Sequence, residues 1–138
     1  MVDTNCYAGV QARDLIAALD GRVPVALAIS SAAVYADDAP HLATEAAPTG
    51  GGSAWAEYGR GKNEMEAVHR DGGFSAAVAL RPPYLCGPNE NLDCATWFFR
   101  RILAGHPVLV PGLGAAQYHF RSRRRPGARR RPDGDLQR

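Results

Sequence analysis

Apolar and polar positions alternate along this chain in blocks that spell out an order of elements. Val10, Ala12, Leu15, Ile16 and Leu19 recur at helical spacing within residues 5–20, and Gly21 ends the pattern. Val23 to Ile29 is a continuous apolar run, the signature of a strand buried on both faces of a parallel sheet. Ser30 to Gly52 is polar and glycine-rich and predicts a long loop. Ser53 is placed to cap a helix reaching about Arg70, and Asp71-Gly72-Gly73 stops it. Phe74 to Leu80 repeats the buried-strand pattern. A Pro/Gly/Asn loop follows from Arg81 to Leu92, then a helix over Ala95–Ala104 and a short strand over Pro107–Val110, before Pro111-Gly112. Helices alternating with apolar strands predict an α/β protein with a parallel sheet.

Composition changes this picture in one region. The chain has 138 residues, 46% of them hydrophobic and 22% charged, enough for one small domain with a core. Its net charge is +2. Eight arginines against Asp133 and Asp135 make the last eighteen residues +6, which leaves −4 on the first 120. Leu136 is the only sizeable apolar side chain after Phe120, so residues 121–138 are expected to be disordered. Three readings compete for this tail: a nucleic-acid arm, a solvated segment, and a frameshifted or fused stretch of GC-rich coding sequence. The last ranks first, because fifteen arginines accompany a single lysine and Ala, Gly and Pro are abundant.

No signal sequence and no membrane-length apolar run is visible, which predicts a cytoplasmic protein. Cys6, Cys86 and Cys94 form no Cys-x-x-Cys pair, and His41, His69, His106 and His119 lack ligand spacing. These are read as small packed thiols and surface imidazoles, with no metal site. Trp55 and Trp97-Phe98-Phe99 are read as packing residues, some of them exposed if the sheet is incomplete.

The chemistry lies where the strands end. The only lysine, Lys62, follows Tyr58 by four residues, so the two share a helix face. A cation near a phenol favours its ionised form, and the pair then serves as proton donor and acceptor. A surface contact of no function fits the same spacing. The first apolar strand ends in Ser30-Ser31-Ala32-Ala33-Val34-Tyr35, and the second in Arg81-Pro82-Pro83-Tyr84-Leu85-Cys86-Gly87-Pro88. Ligands of open parallel sheets bind at that carboxyl edge.

With these three elements in this order, the chain resembles the NAD-dependent epimerase/dehydratase family, the extended short-chain dehydrogenases/reductases, from about Asp3 to Phe120. The resemblance implies a Rossmann-like, doubly wound parallel sheet, here partial and lacking its N-terminal βαβ units. It implies NAD or NADP as cofactor and a sugar nucleotide or similar hydroxyl or carbonyl compound as substrate. It assigns Tyr58 as acid/base, Ser31 as hydrogen-bond donor to the reacting oxygen, and Lys62 as the ribose-binding cation. Pro83 would line the nicotinamide, and Asn5 would open the first helix beside the cofactor. The family's Gly-x-x-Gly-x-x-Gly turn is absent from this sequence, and Gly50-Gly51-Gly52 follows no strand. Weak activity or none is therefore expected of the chain alone, as a fragment of such an enzyme. A non-enzymatic remnant is the alternative, and a basic-tailed nucleic-acid-binding protein a more distant one. No membrane partner is expected, and a homodimer is left open.

Overall fold

The computed structural model describes residues 1–87, 93–110, 112–114 and 120–122, the last three by backbone alone. They fall into two units, Met1–Pro83 and the chain from Tyr84 onward.

The first unit is a three-stranded parallel sheet with two helices. Its elements are β1 (Val2–Asp3), α1 (Gly9–Leu19), β2 (Val25–Ile29), a 3-10 turn over Ala32–Val34, α2 (Ala56–Arg70) and β3 (Ala76–Leu80). The order is β1-β2-β3, with Val2 opposite Leu27 and Leu27 opposite Val78. This is the α/β, partial Rossmann-like architecture that the sequence predicts. The two-residue β1 is an addition, too short to register as a pattern.

Local causes explain the element ends. Gln11 reaches back with Oε1 to accept from the Tyr7 and Ala8 amides at 2.7 and 3.2 Å, which caps α1. Asp20 closes that helix with φ 48°, ahead of Gly21. Ser53 does not cap α2. Its amide instead donates to the Asp37 carboxylate at 3.0 and 3.1 Å, and α2 starts three residues later.

The core is small. Cys6, Ala12, Ala28 and Met65 form it, with Leu15 and Val68 packed against them. Both helices thus pack on the sheet face that carries Ala28. The strands are not buried on both faces as expected: Val25 is 49% exposed, and every residue of β3 is exposed, Ala77 and Ala79 opposite the buried Ala26 and Ala28 included. Such a unit buries little apolar surface for its size.

The second unit contains β4 (Tyr84–Cys86), α3 (Cys94–Leu103) and β5 (Phe120–Ser122), with β4 and β5 paired in parallel. Two corrections arise here. Residues 107–110 form no strand. Arg121 and Ser122, read as the start of a disordered tail, continue a strand instead; residues 123–138 lie outside the described residues, as do Pro88, Pro111 and His119. Trp97, Phe98 and Phe99 are each at least 44% exposed, so α3 does not bury them as packing residues.

Candidate active site

Because β1, β2 and β3 run parallel, the segments that leave them emerge at one edge of the sheet. Asn5 follows β1, Ser31 follows β2, and Pro83 follows β3. Helix α2 adds Tyr58 and Lys62. The sequence expects the Ser31, Tyr58–Lys62 and Pro83 elements on one side of the sheet, and the topology sets the segments after β2 and β3 at one edge, with Asn5 following β1 at the same edge.

Two glycines let α2 approach closely enough. A Cβ on Gly59 would lie 2.4 Å from the Ala33 carbonyl oxygen, and one on Gly61 would lie 2.5 Å from that of Tyr7. Any side chain at either position would collide with backbone. The helix therefore rests on the Ser31 turn on one side and on the entry to α1 on the other. Gly61, costly in a helix interior by about 1 kcal/mol, is explained by this contact. Gly50-Gly51-Gly52 belongs to the same packing. The Gly50 and Gly51 amides both donate to Val34 O at 2.9 Å, and a Cβ on Gly51 would lie 2.5 Å from the Arg60 nitrogen. It is no phosphate cradle.

Lys62 is 3% exposed. Its Nζ donates to the Cys6 carbonyl at 2.7 Å and to that of Ile29 at 2.9 Å. These carbonyls lie just beyond β1 and at the end of β2, so the ammonium bridges the two strand ends. Nζ also sits 4.6 Å from the centroid of the Tyr7 ring. Burial draws the ammonium's pKa down, against the pull of Asp3 and Cys6 in the other direction. Tyr58 is 38% exposed, flanked by the rings of Tyr7 and Trp55 at 6.0 and 6.3 Å between centroids. Ser31 Oγ accepts from the Ala33 amide at 3.2 Å, which leaves its hydroxyl proton for another acceptor. The Ala32 amide donates to Pro82 O at 3.0 Å, tying the Ser31 turn to the Pro82-Pro83 turn. Asn5 does not open α1, which begins four residues later at Gly9. Its side chain is exposed, and its amide donates to Asp3 Oδ1 at 3.0 Å.

Behind the site lies a buried polar layer that sequence reasoning missed. His69, read as a surface histidine, is 3% exposed and its Nε2 faces Asp3 Oδ2 at 3.2 Å, while Nδ1 faces Met65 O at 3.0 Å. Burial opposes ionisation of Asp3. Donation from the Asn5 and Cys6 amides and the nearby His69 outweigh it, so the carboxyl is held below its ordinary range. Burial and the Asp3 charge push the Cys6 thiol up to about 11. Glu66, one turn beyond Lys62, pairs with Arg81 at 2.7 Å. The signal for this layer was helical spacing: 62, 66 and 69 share the stripe that faces the sheet. A groove of about 340 Å³ runs between Glu66, His69, Arg70 and β3, but Ser31, Tyr58 and Lys62 do not line it.

These residues fit the nicotinamide-ribose end of a dinucleotide. An anchored ammonium with one N–H uncommitted to a carbonyl, an accessible phenol and a hydroxyl with a free proton stand at one edge. The pyrophosphate end has no counterpart among the described residues, since the β1–α1 turn, Thr4 to Ala8, has no glycine.

The sequence model of the NAD dependent epimerase/dehydratase family matches residues 3–121. The chain is also 33% identical over 87 residues to the chloroplast stem-loop binding protein of 41 kDa b of Arabidopsis thaliana. That match covers 62% of this chain and 21% of the relative, so the chain spans about a fifth of that protein's length. No solved structure matches. No helix among the described residues is long and apolar enough to cross a membrane.

Proposed function

Since the chain belongs to the NAD dependent epimerase/dehydratase family, we propose that residues 1–83 form the nicotinamide-ribose and proton-transfer half of an NAD(P) site. The substrate class is a sugar nucleotide or a similar hydroxyl or carbonyl compound. The supporting observation is the Lys62 ammonium, buried with no carboxylate among the described residues hydrogen-bonded to it and fixed by two carbonyls where the strands end. Burying a cation in this way is costly, and such groups cluster at functional sites. Lys62 holds the ribose hydroxyls with its remaining N–H. Tyr58 passes a proton between its hydroxyl and the substrate oxygen, and Ser31 donates to that same oxygen. When bound, the nicotinamide supplies the hydride acceptor or donor. Pro83 bounds the ring from the adjoining turn, and Asn5 stands at the same edge.

Saturation-transfer NMR with NAD+ and NADP+ tests this reading on the chain itself. Stronger saturation of the nicotinamide and its ribose than of the adenine is expected, and Lys62→Met abolishes it. Equal saturation of both ends, or none, overturns the proposal.

A second reading rests on the arginine-rich residues 121–138 together with the relative's name as a stem-loop binding protein. Salt-dependent binding of an RNA hairpin that disappears on deletion of residues 123–138 would support it, and binding unaltered by the deletion would discard it.

A further inference from the structure

Arg81 occupies the first position after β3 and directly precedes Pro82-Pro83. Its guanidinium meets the Glu66 carboxylate in a fork: Nε lies 3.0 and 3.2 Å from the two oxygens, and Nη2 lies 2.7 Å from Oε2. Its Nη1 donates to Glu45 O at 3.1 Å, and its Cζ lies 5.1 Å from the centroid of the Tyr35 ring. One residue therefore joins three segments: its side chain touches α2 through Glu66 and the long loop through Tyr35 and Glu45, while its own backbone begins the proline turn. Glu66 is 4% exposed and stands one turn from Lys62 on the same face of α2.

We propose that Glu66 and Arg81 are a positioning pair, which fixes the Pro82-Pro83 turn and the 35–45 part of the long loop relative to the helix bearing Tyr58 and Lys62. Neither residue acts on substrate. The pair rests on the nicotinamide-ribose reading above for its functional consequence, and on geometry alone for its mechanical one. A flat, rigid fork is suited to this, since it makes two parallel bonds to a carboxylate and presents further donors and a stacking face elsewhere. Lysine at 81 keeps the charge but loses the fork and the stacking. The amides that report on the tethered segments are those of Ala32, which donates to Pro82 O, Ala36, which donates to Pro48 O, and Gly50, which donates to Val34 O.

The test is residue-resolved amide exchange by NMR on the chain, comparing wild type, Arg81→Lys and the double variant Glu66→Met/Arg81→Met. The double variant removes the buried Glu66 carboxylate together with its half-buried partner charge, so it keeps the unit folded where a lone unpaired carboxylate would not. Exchange of the Ala32, Ala36 and Gly50 amides should rise at least tenfold in both variants, with the amides of α1 unchanged within twofold. A uniform rise across α1, β2 and the loop means general destabilisation and overturns the proposal, as does no change. Saturation transfer from nicotinamide should fall at least fivefold in Arg81→Lys. If wild type shows no such transfer, the ligand reading fails, while the exchange pattern still decides whether the pair positions these segments.

Discussion

Replacing Gly61 with alanine should destabilise this protein, although helix propensity alone says the opposite. Alanine is favoured over glycine in a helix interior by about 1 kcal/mol. The added Cβ would lie 2.5 Å from the Tyr7 carbonyl oxygen, whereas real Cβ contacts are essentially never under 3.0 Å. Helix α2 must therefore withdraw from the entry to α1 by about half an ångström or more. The neighbouring atoms are backbone and cannot swing aside. Overpacking of this kind costs typically 1–3 kcal/mol. The same withdrawal lengthens the 2.7 Å bond from Lys62 to Cys6 O, made by the residues next to Gly61 and Tyr7, and a weakened buried hydrogen bond costs about 1 kcal/mol more. Against the propensity gain, the net loss is about 1–3 kcal/mol. Urea unfolding followed by tryptophan fluorescence measures it as a lowered midpoint at unchanged slope. A midpoint raised by the equivalent of about 1 kcal/mol would refute the close approach and return Gly61 to a propensity defect.

Two further outcomes are expected. Lys62→Met should cost at most about 1 kcal/mol in stability, because the loss of two hydrogen bonds is offset by removal of a buried charge, yet it should remove nicotinamide binding; urea midpoints and saturation transfer on one sample separate the two effects. Acid should destabilise the fold through Asp3 and Glu66. Burial opposes ionisation of both carboxyls, but the amides of Asn5 and Cys6 for one and Arg81 for the other hold them below their ordinary range. A carboxylate lowered in the folded state stabilises fully above its unfolded pKa of about 4, and that stability is lost as pH falls through the lower folded value. Urea midpoints should hold between pH 7 and 5 and fall steeply below about pH 4, less steeply in the Glu66→Met/Arg81→Met double variant.

What could be read from the sequence follows from how each element is stabilised. The segments β2 and β3 were legible because their apolar runs are long and end at recognisable turns. The two residues of β1 carry no period, and only the register of Val2 opposite Leu27 makes them a strand. The run at 107–110 has strand composition but gains no partner among the described residues, and composition cannot supply one. The places of Ser31 and Pro83 were legible because each follows an apolar strand, and those of Tyr58 and Lys62 because their four-residue spacing sets both on one helix. Asp3, His69 and Arg81 were not, since a titratable residue on a helix face or at a strand end looks solvent-directed until its partner is placed. Tyr7 escaped notice for the same reason: nothing in the sequence sets its ring over the Lys62 ammonium.

The buried face of α2 shows why site and stability are hard to separate here. Gly59, Lys62, Met65, Glu66 and His69 are its buried residues, and Met65 alone is a large apolar side chain. An ordinary amphipathic helix docks by burying an apolar stripe. This one docks through two glycine contacts, one methionine and three titratable groups, each answered by a partner on the sheet or its loops. Lys62 is held by Cys6 and Ile29, Glu66 by Arg81, and His69 faces Asp3. Non-directional burial would tolerate sliding of the helix by a fraction of an ångström. Paired polar groups in a small, alanine-rich core do not, because a displaced partner leaves a buried charge unsatisfied. The same bonds that keep α2 on the sheet therefore set where Tyr58 and the Lys62 ammonium stand. Substitutions in this layer are informative only when ligand contact and unfolding are measured together.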